Sequence, residues 1–114
     1  MISRAKVATV QLGKVIRMSE RVVKPSQEIK VKELLSEVEK EIRDWPGMLS
    51  AETLVDTADP HRFVVVTEWE SRKHLQHWLK SDLCKDTVAK LDKELDKPVA
   101  YRELMHHEDD VFLL

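Results

Sequence analysis

The segment Arg62–Trp69, RFVVVTEW, is the strongest strand signal in the chain, and both of its faces are apolar. Phe63, Val65, Thr67 and Trp69 alternate onto one side, and Val64, Val66 and Glu68 onto the other. A layer of helices covers only one side of a sheet. An antiparallel sheet with a wet side normally alternates apolar with polar residues, so this strand implies a second cover. Val64 and Val66 left in water would each forgo about 1.5 to 3 kcal/mol of burial. The simplest cover is another copy of the same sheet, which makes a homodimer the expected partner; the alternative is an N-terminal segment folded back over that face.

The remaining elements follow from periodicity and punctuation. Residues 5–23 read as strand, longer than the usual ~5 to 6 residues, so an interruption at Gly13 is expected. Residues 1–13 then form an N-terminal extension strand, 14–106 the main domain and 107–114 a solvated tail carrying acidic residues after His106-His107. Ser26 is the expected cap of a helix whose inner face is Ile29, Leu34, Leu35, Val38, Ile42 and Trp45, ended by Pro46-Gly47. A strand over 48–57 and a turn at Asp59-Pro60 lead into 62–69.

Ser71 caps the next helix, which carries Leu75, Trp78 and Leu79. Ser81-Asp82 predicts a break and a second cap before Leu83, Thr87, Val88, Leu91 and Leu95, so two helical pieces should meet at a bend. Lys97-Pro98 stops that helix, and VAYRELM over 99–105 closes the sheet. Strand, helix, strand, strand, helix, strand is the α+β, ferredoxin-like split β-α-β plan, an antiparallel sheet with both helices on one face.

Composition narrows the classes of function. With 114 residues, 42% hydrophobic and 35% charged, the chain is one globular domain. Its 19 Lys and Arg against 21 Asp and Glu are mixed along the sequence, so no nucleic-acid partner is expected. No apolar run approaches the ~20 residues needed to span a bilayer, so no membrane partner is expected either. A single cysteine, Cys84, excludes an internal disulfide and fits a reducing compartment, the cytoplasm or an organelle interior.

RFVVVTEWES followed by HLQHWLKSD, with VVKPSQEIKVKELL and PGMLSAETLVD upstream, resembles the antibiotic biosynthesis monooxygenase (ABM) domain family. Within it, the sequence is most similar to the IsdG-type heme-degrading monooxygenases. The likeness runs from about Gly13 to Leu104 and is densest over 62–82. It implies a dimeric α+β barrel in which two sheets pack face to face, with a pocket in each subunit between sheet and helices. Heme-degrading members use an Asn near the start of the chain, a Trp on the second helix and, after it, an iron-ligating His. The Trp matches Trp78. The chain contains no asparagine; the first-strand position falls among Met18, Ser19 and Glu20, and the ligand position among Asp86, Thr87 and Val88. Cofactor-independent relatives that oxidise polyketide quinols use Asn, Trp and Tyr residues, and the sole tyrosine here is Tyr101.

Each candidate residue also has a purely structural role. Trp78 shares a helical face with Leu75 and Leu79, so it either fills the core or, by the resemblance, borders a ligand pocket. His74 lies one turn earlier and could reach the pocket edge, where it is the candidate axial ligand of a bound heme. With His77 it forms an HxxH pair lacking a third ligand, so no metal site is expected. Trp69 is a lid at the core edge or part of the pocket, and Arg102 either meets a ligand carboxylate or is solvated. The resemblance implies a monooxygenase receiving a flat hydrophobic ligand, heme or a polycyclic phenol or quinol, with no cofactor required beyond heme as ligand or substrate. The alternative is a noncatalytic module on the same fold that binds heme, a small ligand or another protein.

Overall fold

Strand β1 (Val15–Val22) is followed by helix α1 (Glu28–Ile42), strands β2 (Met48–Val55) and β3 (Arg62–Trp69), helices α2 (Arg72–Leu79) and α3 (Asp82–Asp92), and strand β4 (Ala100–Met105). This computed structural model describes residues 13–105, so the extension strand expected before Gly13 and the tail expected over 107–114 lie outside the described residues. The four strands form one antiparallel sheet in the order β2-β3-β1-β4, the ferredoxin-like arrangement.

The register of β1 on β3 sets Val15 opposite Trp69, Ser19 opposite Val65 and Arg21 opposite Phe63. These residues point to the helices. Against them pack two apolar clusters: Ile42, Leu75, Trp78 and Cys84 around Val15 and Trp69, and Val31, Leu35, Leu91 and Leu95 around Val23 and Phe63. On the opposite side of the sheet, Leu54 and Leu104 are exposed, and Ile16, Met18, Val64 and Val66 are half-buried. The two-faced apolar pattern of β3 is therefore met by helices on one face only, among the described residues.

Two details of α1 depart from expectation. Its buried residues are Val31, Leu35 and Ile42, whereas Ile29 is 73% exposed. At 3.6 residues per turn Ile29 sits about 200° from Val31, so the two cannot share an inner face. Ser26 is not the cap: its φ is 72°, and Gln27 takes the cap position without a side-chain hydrogen bond. Gln27 N–H donates to Lys24 O at 3.1 Å, which places Pro25 second and Ser26 third in a tight turn. Proline second and a positive φ third is the pattern of a type II turn, and it outcompetes the cap.

The break between α2 and α3 is present as expected. Ser81 has extended backbone (ψ 151°), its Oγ accepts from Cys84 N–H at 3.1 Å, and its hydroxyl donates to Trp78 O at 2.6 Å. One side chain thus serves an open donor of α3 and an open acceptor of α2. Ser71 caps α2 in the same way, accepting from His74 N–H at 3.2 Å. Gly47, with φ 83°, ends the connection from α1, and a β-carbon there would collide with the His74 ring. This close approach seats α2 against the start of β2.

Candidate functional site

Between the sheet and the helices lies a cavity of about 90 Å³. Its roof is apolar: Leu35, Val38 and Ile42 from α1, Trp78 from α2, and Val88 and Leu91 from α3. Its floor is polar, because β1 places Arg17, Ser19 and Arg21 on the helix-facing side and β3 adds Thr67 beside Val65. Five of the lining residues, Arg17, Leu79, Cys84, Val88 and Tyr101, also border a wider groove of about 390 Å³ between α3 and β4. The inner volume holds several waters or part of one ring, whereas inner chamber and groove together reach the ~300 to 1,000 Å³ usual for small-molecule sites.

The polar floor has an unusual balance. Arg21 is 5% exposed, its Nη1 donates to Ser19 Oγ at 2.7 Å, and its Nε has no hydrogen-bond partner. Burial lowers its pKa, opposed by weaker attraction from Tyr101 and Asp92. Arg17 lies over the Tyr101 ring, 4.2 Å from its centroid, at the boundary of chamber and groove. Burial also pushes the Cys84 thiol pKa up, against the pull of Arg17 and Arg21, so the group stays a neutral thiol at neutral pH. Thr67 Oγ1 accepts from Trp69 Nε1 at 2.9 Å, which ties the floor to the wall behind it.

The tryptophans form that wall. Trp78 makes an edge contact with Trp45 (5.0 Å between centroids, 74°) and is nearly parallel to Trp69 (6.4 Å, 22°). Of the four residues expected around the pocket, Trp78 borders the cavity. Trp69 is fully buried behind it. His74 turns away: its Nδ1 is 2.7 Å from Ser71 Oγ, its ring crowds Gly47, and its Nε2 is 4.0 Å from Glu70. Arg102 pairs in register with Met18 on the open side of the sheet, so the sheet lies between it and the chamber. His77 stacks obliquely on Trp45 at 5.8 Å.

The residues present do not fit heme. No imidazole borders the chamber or its groove, and the enclosed volume takes only part of a ring. Among the described residues no group of three or more His, Cys, Asp or Glu is placed to hold a metal ion.

Sequence reading missed Arg17 and Arg21. Their signal was phase: if Val15 and Val23 are core, the odd positions 17, 19 and 21 between them face inward too.

Residues 14–90 match the family of antibiotic biosynthesis monooxygenase (ABM) domains. The chain belongs to that family. Its fold is shared with solved structures at low identity. A conserved protein from Methanosarcina mazei Go1 matches at 18% identity with a TM-score of 0.80, over 85% of this chain and 96% of that one. An ABM-type protein from Nitrosomonas europaea matches at 17% identity and TM-score 0.79, over 84% and 92%. A mutant of SnoaB, a cofactor-independent oxygenase from Streptomyces nogalater, matches at 10% identity and TM-score 0.75, over 82% and 93%. No curated protein matches this ABM chain. Among the described residues, no helix is long and apolar enough to cross a membrane.

Proposed function

We propose that this ABM protein is a homodimeric, cofactor-independent oxygenase of a flat phenol or quinol. The carrying observation is the chamber walled by Trp78 and floored by Arg17, Ser19 and Arg21, which suits one edge of an electron-rich ring with an oxygen substituent. Family membership and the likeness to SnoaB support the class of chemistry. In such a reaction the substrate supplies the electrons: one atom of O2 becomes a new ring carbonyl, and the other leaves as water with two hydrogens of the phenol. The protein excludes water and holds the ring. The second reading, a noncatalytic ligand-binding module, is favoured by the lack of asparagine and by the absence of histidine from the chamber lining.

Oxygen uptake with anthrone as the probe tests the proposal. Metal-free, flavin-free protein should consume O2 and form anthraquinone one for one, and Trp78→Ala should lower the rate by about 100-fold, the cost of a misplaced substrate. Uptake no faster than the uncatalysed reaction, alongside saturable anthrone binding, would establish the noncatalytic reading instead.

The dimer supplies the missing cover. Val64, Val66, Ile16 and Met18 of one sheet would pack on the same residues of its partner in a face-to-face sandwich. Light scattering should give twice the 13.3 kDa chain mass, and Val66→Glu should halve it. A monomeric wild-type protein at micromolar concentration would remove the dimer from the proposal. The one described cysteine being a buried thiol suits a reducing compartment, the cytoplasm or an organelle interior.

A further inference from the structure

Arg21 poses a problem that packing does not solve. It stands on the buried face of β1, among positions where an aliphatic residue would fill the same space. A guanidinium carries five N–H donors, and a buried one needs acceptors or a counter-charge. Ser19 satisfies one donor at Nη1, and no carboxylate of the described residues forms an ion pair with Arg21. Nε is left over, on the edge that takes a carboxylate or phenolate side-on. Arg21 borders the inner chamber but not the outer groove, whereas Arg17 borders both. Arg21, with its Nε unpaired, therefore stands at the deep end, and a second cation stands at the entrance.

We infer that this pocket selects ligands bearing an oxyanion on an aromatic ring, with Arg21 receiving the anion at the deep end and the ring extending past Trp78 toward the groove. This inference rests on the reading of the chamber as the ligand site, and it narrows the substrate class from flat and hydrophobic to anionic. Arg17 at the mouth raises the local concentration of anions and discriminates against cationic rings. The apolar roof of Leu35, Val38 and Ile42 excludes water from the pair, which makes the charge-assisted bonds worth more than on a surface.

The test uses 2-naphthoate and its neutral isostere 2-naphthamide with the full-length protein under anaerobic conditions, by calorimetry and by following the Arg21 Nε–H resonance. Neither probe is a substrate, so failure of oxygenase activity leaves this result standing, and the reverse holds as well. Wild-type protein should bind the acid about 10- to 100-fold tighter than the amide, the range expected for hydrogen bonds to a charged group. The acid should shift the Arg21 Nε–H resonance and the amide should not. Arg21→Met should bind both with equal affinity, while Arg43→Met, a surface change, should retain the preference. Equal binding of acid and amide by wild type, binding of neither, or a preference that survives Arg21→Met would overturn the inference. If Arg21→Met fails to fold, the wild-type Nε–H response to the two probes decides.

Discussion

Arg21→Met is expected to raise the folding stability of the unliganded protein by about 1 to 3 kcal/mol, the gain typical of replacing an under-satisfied buried charge by an apolar side chain. The guanidinium is 5% exposed and makes one hydrogen bond, to Ser19, while its Nε has no partner. Methionine is flexible enough to fill the space beside Leu35 and Val65 without strain. Burial holds the Arg21 pKa below its ordinary value, so the folded state binds its proton less well than the unfolded chain does. The unfolded state then carries the excess of bound protons, and stability rises with pH only through the interval between the two pKa values. That interval ends at the ordinary arginine range, so at neutral pH the penalty is constant. Urea denaturation at pH 6 and pH 8 should therefore show the same gain. A loss of stability at either pH would mark Arg21 as a structural residue whose partners outweigh its desolvation. A gain in stability with loss of anion preference is the pattern of a residue retained for a ligand at a cost to the fold.

Trp69→Ala is expected to cost about 3 to 5 kcal/mol, the range for deleting a buried aromatic side chain. Trp69 is 0% exposed and sits where β3 pairs with Val15 on one side and Met48 on the other. Its ring backs Trp78, and its Nε1–H is the partner of Thr67 in the chamber floor. The substitution would open space behind the pocket wall and leave Trp78 without its parallel neighbour. Trp69→Phe isolates the polar part: most of the ring is kept, and Thr67 loses a donor, for about 1 to 2 kcal/mol. Equilibrium urea denaturation measures both, and a Trp69→Ala loss below about 1 kcal/mol would contradict a rigid wall at this position.

Local chemistry made much of the fold legible. Ser71 and Ser81 are followed by helix-forming residues and fall where backbone donors need a partner, so both caps and the bend between α2 and α3 follow from neighbouring residues alone. RFVVVTEW is short, rich in β-branched and aromatic residues and bounded by turn residues, which favours strand over helix, and the observed β3 has the same bounds. Ser26 failed because two local preferences collided: Pro25 favours a turn whose third residue has positive φ, and that turn was stronger than the cap.

The site was less legible, for a different reason. His74 is adjacent to Trp78 by helical spacing, yet Gly47, distant in sequence, leaves room for its ring at the start of β2, and Ser71 holds it away from the chamber. Arg102 was a candidate anion receiver on the neighbouring strand β4, but its phase is the wrong one: pairing with Met18 sends it to the open face. Arg17 and Arg21 occupy the opposite phase, and charged residues at alternate positions of a strand are normally read as its wet side. The sequence alone determined the order of strands and helices, the break at Ser81 and the family, because these depend on near neighbours and on patterns repeated along the chain. The helix expected to reach Leu95 ends at Asp92, and Leu95 bridges to Val23 instead. The tertiary structure decided which cations face inward and which rings enclose the chamber. Strand phase is set by register against a partner strand far away in sequence, and a one-residue shift sends every side chain to the other face.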